Sequence, residues 1–466
     1  MRILVTGGTG FVGRALIREL IRLNHSITVL TRQPQAVTQL YGDIVTSISW
    51  DACSGPPPAS AYEDVDVIIN LLGENIARKR WTDAQKKAIY DSRIVGTRHL
   101  IEGAQAHASS VSTIISTSAV GYYDQDPSQQ VTESDPHASS FLGSLCHDWE
   151  RAVLDLTEPT AIRCVIFRVG VVIGDGGAIN QMIGPFLWGL GGQLGNGEQW
   201  MNWIDLSDLV RLYVAGITDS SLSGVYNAVS PNNVTNRQFT SALGQRLNRM
   251  TRLSVPAIVL RIILGELSEL LLLGSKVQPK RLLDHGFSFS FPTIADSLTQ
   301  ALHFRYIPHL KKTIRCQRLM TSQFLPYSQS TVFQFFSDAS NLERLTPPHV
   351  QFAITWQSTP TIQANTLFDY RLRIRGIPIF WRTLITDWEP QSSFTDTQLN
   401  GPYQVWHHTH RFYPYSTGTW IEDEIFYAPP NIPIIKWLLL PFIKRDIHSI
   451  FQFRQRTIHQ CLSEAS

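Results

Sequence analysis

Apolar and polar positions alternate along the chain in two distinct regimes. The first opens with an apolar run at 2–6 that ends in glycine, as a strand buried on both faces does. Apolar Val12, Leu16, Leu20 and Leu23 then predict a helix with one buried stripe. Further apolar runs at 26–32, 64–73, 111–120 and 162–174 read as strands. A long helix is expected to start after Thr82, where Gln85 matches a capping box, and to run towards His107. This alternation predicts an α/β fold, a doubly wound parallel Rossmann sheet with helices on both faces. The proline-rich 53–60 stretch is a surface loop. From Gly176 to about Leu302 the pattern loosens, with helices near 239–247 and 257–273, and reads as a substrate lobe of the same domain.

The second regime is antiparallel in character. A strand-like run near 317–325 precedes a helix pair at 328–347. Strand-like runs follow at 351–357, 366–390, 392–414 and 418–430, with Gly or Pro at the turns. A helix covers roughly 434–462. A sheet wrapped round a long C-terminal helix is an α+β helix-grip arrangement with an interior cavity. The expected domains are therefore 1–302 and 317–466, joined by a basic linker at 303–316.

Composition narrows the function without naming it. A chain of 466 residues, 43% apolar and 17% charged, suits two or three globular cores. A net charge of +2 gives no electrostatic reason to expect a nucleic-acid partner. The five cysteines are scattered and never form a CxxC pair, which points to a reducing, cytoplasmic setting. The N-terminus shows no signal-peptide pattern. Apolar runs at 260–274 and 432–444 carry Glu266, Glu269, Lys436 and Pro441 and fall short of the ~20 residues of a membrane span. Both read as buried or amphipathic helices, the second with membrane-surface contact as an alternative.

The sharpest motif is the glycine loop after the first strand. Gly7, Gly10 and Gly13 have the spacing that lets a pyrophosphate approach a helix N-terminus. The second strand ends in Thr31 and Arg32 with no carboxylate for ribose hydroxyls. Arg32 can meet a 2′-phosphate instead, so NADP(H) is the expected cofactor.

The motifs at 1–13, 69–77, 80–98, 116–123, 141–150, 167–179 and 189–210 resemble the epimerase-family (YfcH-like) branch of the atypical short-chain dehydrogenases/reductases. The last 150 or so residues resemble the START-like SRPBCC superfamily, on the stretches 325–348, 376–390 and 399–412 and the terminal helix. The first resemblance implies NADP(H) binding and no particular reaction. It also implies a cofactor site built from Thr6, Gly7, Gly10, Phe11, Val12, Gly13, Thr31, Arg32, Asn70, Leu72, Gly73, Arg93 and Ser118. The second implies an apolar ligand.

Extended members of the first group carry a Ser after strand five and a Tyr and Lys four residues apart on the next helix. Ser118 fits the Ser position. Leu142 and Cys146 fall where Tyr and Lys are expected, and no Tyr–Lys pair at that spacing exists from 141 to 163. Neither replacement carries the proton or the positive charge. Tyr122, Tyr123 and Glu74, near the sheet's C-terminal edge, are the other candidates for catalysis, against packing or helix-start roles. His147 and Cys146 have a structural reading that outweighs the catalytic one. Sugar-nucleotide relatives hold an Arg where this chain has Met201 and Asn202, flanked by Trp200 and Trp203. That argues for an apolar small-molecule substrate packed on tryptophan rather than a UDP-sugar, with both Trp residues in the core as the alternative. Arg78, Lys79 and Arg80 are open to an anion or to solvent.

In the second domain, Trp406, His408, His410 and Phe412 share one strand face and His407 the other. No carboxylate or Cys close in sequence completes a metal set, so no metal is expected and cavity-lining histidines are. Trp381, Trp388 and Trp406 are candidates for the cavity wall. Two functions stay open: an NADP(H)-dependent oxidoreductase fused to an apolar-ligand domain, or a non-catalytic cofactor-binding regulatory or scaffold protein. A lipid-binding module with a vestigial Rossmann domain is a third. A homodimer through the helix after Thr82 rests on family analogy.

Overall fold

In the computed structural model the chain divides into two units, Met1–Gln39 with Val45–Ala301, and Leu302–Ser466 with Leu40–Ile44. The structure describes every residue except Arg78, Ser109, Pro159, Asn431, Ile432 and Ser466, together with the side chains of His309, 433–439 and Ala465. Arg78, one of the expected anion contacts, and the Ile432 and Lys436 of the second apolar run therefore lie outside the described residues.

The first unit is built on seven parallel strands: β1 (Arg2–Thr6), β2 (Ser26–Thr31), β3 (Val45–Ser49), β4 (Val67–Asn70), β5 (Thr113–Ala119), β6 (Arg163–Val169) and β7 (Gly224–Ala228). Their order is β7-β6-β5-β4-β1-β2-β3, so the order reverses between β1 and β4. A crevice opens at such a reversal, beyond the carboxyl ends of the strands. β4 is buried along its whole length, as its unbroken Val-Ile-Ile run predicts.

Helix α1 (Phe11–Arg22) buries Gly13, Leu16, Ile17, Leu20 and Ile21. The expected stripe is rotated: Val12 is half-buried and Leu23 is exposed. Helix α2 (Asp83–His107) opens where Thr82 accepts a hydrogen bond from the Gln85 N–H at 3.2 Å. Helix α3 (Phe141–Thr157) is capped by Ser140, whose hydroxyl accepts from the Gly143 N–H at 3.2 Å. Leu142, Leu145, Trp149 and Ala152 of α3 pack against Ile89 and Ile94 of α2. The apolar run at 257–273 is not one helix. It breaks at Gly265, whose φ of +63° lies outside the right-handed helical region. Among the described residues, no helix is long and apolar enough to cross a membrane.

The second unit begins with a hairpin. Residues 303–316, expected as a linker, pair Phe304–Ile307 with Lys312–Arg315. Ile307, Ile314 and Cys316 join a small core with Val405, Phe426 and Ala428. A seven-stranded antiparallel sheet follows: β8 (Gln317–Leu325), β9 (Ala353–Gln357), β10 (Leu367–Ile374), β11 (Ile377–Glu389), β12 (Ser393–Asn400), β13 (Val405–Tyr415) and β14 (Gly418–Ala428). Their order is β8-β14-β13-β12-β11-β10-β9. Helices α4 (Gln329–Phe336) and α5 (Ser340–Arg344) leave the sheet after β8, and the long α6 (Pro433–Ala465) closes the chain. Ile458, Cys461 and Leu462 of α6 join Val332, Phe333, Phe394 and Phe412 in the main core of this unit.

Phe333 lies 5.2 Å from Trp388 and 5.4 Å from Phe412 between ring centroids. Phe333→Ala is expected to destabilise this unit by about 3–5 kcal/mol through the cavity it leaves. A lowered midpoint in urea denaturation followed by near-UV circular dichroism checks this; an unchanged midpoint contradicts it.

Candidate functional site

The loop between β1 and α1 is a cradle that only glycine can form. Gly7 has φ of +67°, and a Cβ there would stand 2.5 Å from the Leu71 carbonyl oxygen. A Cβ on Gly13 would stand 2.3 Å from the Gly7 carbonyl oxygen. Gly10 is the N-cap of α1, which has no side-chain cap and no acidic residue in its first turn. The first N–H groups of the helix are thereby left to an anion. The residues present thus fit a dinucleotide pyrophosphate.

Beneath the cradle lies a buried polar brace. The Thr6 hydroxyl donates to Asn70 Oδ1 at 3.0 Å and accepts from the Leu71 N–H at 3.0 Å. Asn70 Nδ2 donates to Thr97 at 2.9 Å and to Ser116 at 3.2 Å. Leu72 N–H donates to Asn70 Oδ1 at 3.2 Å. Thr6 and Asn70 therefore hold the loops that follow β1 and β4 in place. Phe11 and Val12 are half-buried at the start of α1, and the Phe11 ring faces Gly174, Gly176 and Gly177. Thr31 accepts from the Gln33 N–H at 3.1 Å, and Arg32 is exposed beside it at the end of β2. Gly73 leaves room for the Arg93 guanidinium, which a Cβ would approach to 2.8 Å. Arg93 donates to the Glu74 carbonyl at 3.0 Å and stands 5.0 Å from the Trp149 ring centroid. Burial lowers its pKa.

The place where a Tyr–Lys pair would stand is filled differently. Leu142 and Cys146 are both buried on α3. Burial, with repulsion from Glu150, pushes the Cys146 thiol up to about 12, so it carries no charge at neutral pH. Behind it lies an ion pair. Arg168 on β6 donates through Nε and Nη2 to both oxygens of Glu150 on α3, at 2.8 and 2.7 Å. Ser118 on β5 donates to the same carboxylate at 2.7 Å. Arg168 Nη1 donates to the Tyr123 hydroxyl at 2.7 Å, which donates to Asn227 at 2.7 Å. Ser118 and Tyr123 are each 1% exposed, so both hydroxyls are committed inside this network. Arg168 escaped the sequence reading, although a lone Arg in an apolar strand signals a buried partner.

Of the other expected proton-handling residues, Tyr122 is half-buried, with the Arg168 guanidinium 3.4 Å from its ring centroid. Burial raises its pKa, so it keeps its proton at neutral pH. His137 and His147, stacked 4.2 Å apart, stand beside it. Glu74 is half-buried in the loop after β4, well before α2 opens, so it is no helix-start carboxylate. Its N–H donates to Ser92 at 3.0 Å. Trp203 is fully buried, whereas Trp200 is half-buried and donates to the Pro127 carbonyl at 2.9 Å. Asn202 is buried and donates to the Ser275 carbonyl at 2.9 Å, while Met201 is half-buried. Lys79 and Arg80 are exposed.

The second unit encloses a cavity of about 160 Å³, walled by Phe336, Trp381, Phe394, Trp406 and Phe451. Trp388 instead packs on Phe333 and Phe394. One end of the cavity is polar. Asp396, His408, His410 and Arg454 line it. The sequence reading placed no carboxylate near the histidines, and the sheet register overturns that. Asp396 on β12 pairs directly with His408, and Asp423 on β14 pairs with His410. His408 Nδ1 lies 3.2 Å from Asp396 Oδ2 and its Nε2 3.2 Å from Asp423 Oδ1. Burial opposes a charge on His408, but the two carboxylates outweigh it and hold its pKa above the ordinary imidazole value. Burial and the neighbouring His408 push His410 down to about 4.

Three family profiles match the chain: the NAD dependent epimerase/dehydratase family at residues 3–228, a domain of unknown function at 255–301, and polyketide cyclase/dehydrase and lipid transport at 325–453. The epimerase family protein Mb2239 of Mycobacterium bovis is 38% identical over 301 residues, 64% of this chain and 97% of that protein. The crystal structure of human epimerase family protein SDR39U1 with NADPH is 33% identical, with a TM-score of 0.58, covering 65% of this chain and 99% of that one. A nucleoside-diphosphate sugar epimerase from Corynebacterium glutamicum is 28% identical, with a TM-score of 0.53, covering 65% of this chain and 58% of that one.

Glu150→Gln is expected to destabilise the protein by about 3–5 kcal/mol, because it strands the buried Arg168 charge. Replacing both partners by Met is expected to recover most of that loss, as read by chemical denaturation. A single variant as stable as the parent would contradict the pair's role. In a separate experiment, iodoacetamide at pH 8 is expected to label the exposed Cys53 in the folded protein and Cys146 only after denaturation. Mass spectrometry of the labelled peptides checks this, and rapid labelling of native Cys146 would refute it.

Proposed function

Because this chain belongs to the NAD dependent epimerase/dehydratase family, with a polyketide cyclase/dehydrase and lipid transport domain after it, we propose that its first unit holds NADP(H) and its second an apolar ligand. The observation that carries the first half is the cradle of Gly7, Gly10 and Gly13, where a Cβ on Gly7 or Gly13 would run into backbone. The NADPH in the human relative's structure supports the choice of cofactor. In this reading Gly7, Gly10, Phe11, Val12 and Gly13 surround the pyrophosphate, and Thr31 and Arg32 meet the 2′-phosphate. Thr6 and Asn70 position that loop, and Leu72, Gly73 and Arg93 bound the crevice between β1 and β4. The buried Arg93 puts a fixed positive charge near Cys146, where the fold family's Lys is absent.

NADP(H), when bound, supplies or accepts a hydride. We read the first unit as an oxidoreductase for an apolar carbonyl or alkene, with Tyr122 and Glu74 as the groups left to handle a proton. Ser118 and Tyr123 hold the Arg168–Glu150 pair and act on the site through position. The second reading is a cofactor-binding protein without turnover. The commitment of Ser118 to Glu150 favours it. The cavity walled by Phe336, Trp381 and Trp406 supports an apolar ligand in the second unit. The free cysteines of the chain support a reducing, cytoplasmic setting.

NADPH binding, followed by fluorescence titration, is expected to vanish in Gly10→Asp. In Arg32→Ala it is expected to weaken about tenfold or more, with NADH binding unchanged. Equal loss for both cofactors in Arg32→Ala would contradict a 2′-phosphate contact. NADPH oxidation over a panel of apolar carbonyls and alkenes then separates the two readings. Turnover that falls in Tyr122→Phe or Glu74→Gln supports the oxidoreductase. Tight binding without turnover on any compound supports the second reading.

A further inference from the structure

We infer that the polar end of the second unit's cavity is a mononuclear site for a divalent first-row transition metal, with Asp396, His408 and His410 as its ligands. One donor atom from each of the three lies within 4.8 Å of the others. Asp396 Oδ2 stands 3.2 Å from His408 Nδ1 and 3.8 Å from His410 Nε2. Donors bonded to one ion at about 2.0–2.2 Å stand roughly 3–3.6 Å apart, so the Asp396–His408 distance falls in that range and the Asp396–His410 distance lies just outside it. Two imidazoles and one carboxylate suit zinc, iron, cobalt or manganese and leave coordination positions open.

His408 Nε2 and His410 Nδ1 both turn to one atom, Asp423 Oδ1, at 3.2 and 2.6 Å. A carboxylate behind a ligating imidazole fixes its tautomer and orientation, and here one carboxylate serves two. Asp423 is 6% exposed and does not line the cavity, as an orienting group behind the ligands requires. Phe394 stacks on His410 at 4.3 Å and Phe451 meets His408 edge-on at 5.3 Å, which restricts both rings.

The site opens to an apolar space, so its remaining positions face the cavity's occupant. Arg454 lines the same end, is 7% exposed, and its Nε has no hydrogen-bond partner. Two carboxylates, a divalent ion and one guanidinium leave a single positive charge. One anionic oxygen on the occupant, bound to the metal beside Arg454, neutralises it. The rival arrangement has no metal: a protonated His408 bridges the two carboxylates, and the charges balance with Arg454. The metal inference stands whether or not the apolar-ligand reading holds.

The test uses the tag-free full chain, stripped with a chelator and titrated with Co²⁺ and then Zn²⁺. One equivalent of Co²⁺ is expected to bind with visible d–d absorption, and Zn²⁺ to displace it. His410→Gln and Asp396→Asn are expected to abolish the absorption, and Asp423→Asn to weaken binding about 10–100-fold. Near-UV circular dichroism monitors the fold of each variant. A folded parent protein that binds no Co²⁺ at stoichiometric concentration overturns the proposal and leaves the protonated His408 network. So does binding that survives in folded His410→Gln. Because the parent titration is read first, a variant that fails to fold leaves the proposal exposed to refutation.

Discussion

A buried ion pair ties together several elements of the first unit. Arg168 and Glu150 have side chains only 4% and 5% exposed, and taking each charge out of water costs several kcal/mol. Bidentate geometry offsets part of that cost, and the remaining bonding capacity has to be met nearby. Ser118 and Tyr123 meet it. The pair therefore links β6 to α3 and draws in β5 and the turn after it. It also decides chemistry. Ser118 and Tyr123, two of the candidates for catalysis, are held inward, and buried Leu142 and Cys146 fill the helix positions where a Tyr and Lys are expected.

The two candidate sites are built in opposite ways. In the first, the backbone makes the site: glycines at close approach leave helix N–H groups facing the crevice, and buried Thr6 and Asn70 brace the loops from below. In the second, side chains make it. Aromatic rings wall the cavity, Asp396, His408, His410 and Arg454 line one end of it, and Asp423 stands behind the two histidines. Low dielectric strengthens interactions there and makes an unpaired group costly. That cost is why His408 stands between two carboxylates rather than beside one.

The sheet strands, α2 and the antiparallel second half were legible because each rests on local periodicity or a cap. The Thr82 cap of α2 is local chemistry, whereas α3 was expected from the family resemblance and its Ser140 cap came only with the structure. Errors arose where a local signal met a longer-range constraint. The stripe of α1 rotated because Gly13, with Ile17 and Ile21, faces the core beside the cradle. The 257–273 run broke where Gly265 takes a positive φ, a choice that composition alone does not reveal. The basic 303–316 segment reads as a linker, yet its Ile307, Ile314 and Cys316 pack with Val405, Phe426 and Ala428, far along the chain.

The sequence alone determined the glycine cradle, the exposed Arg32 beside it and the absence of a Tyr–Lys pair, because each is a matter of residue identity at fixed spacing. It also determined that His408 and His410 share a strand face, since side chains alternate with period two. Only the tertiary structure decided what stands opposite them. The register that sets Asp396 against His408 and Asp423 against His410 joins residues 12 and 13 positions apart through neighbouring strands. The meeting of Ser118, Glu150 and Arg168 likewise depends on how α3 lies against the sheet. Spacing along a chain specifies a face, and packing across the fold specifies the partner.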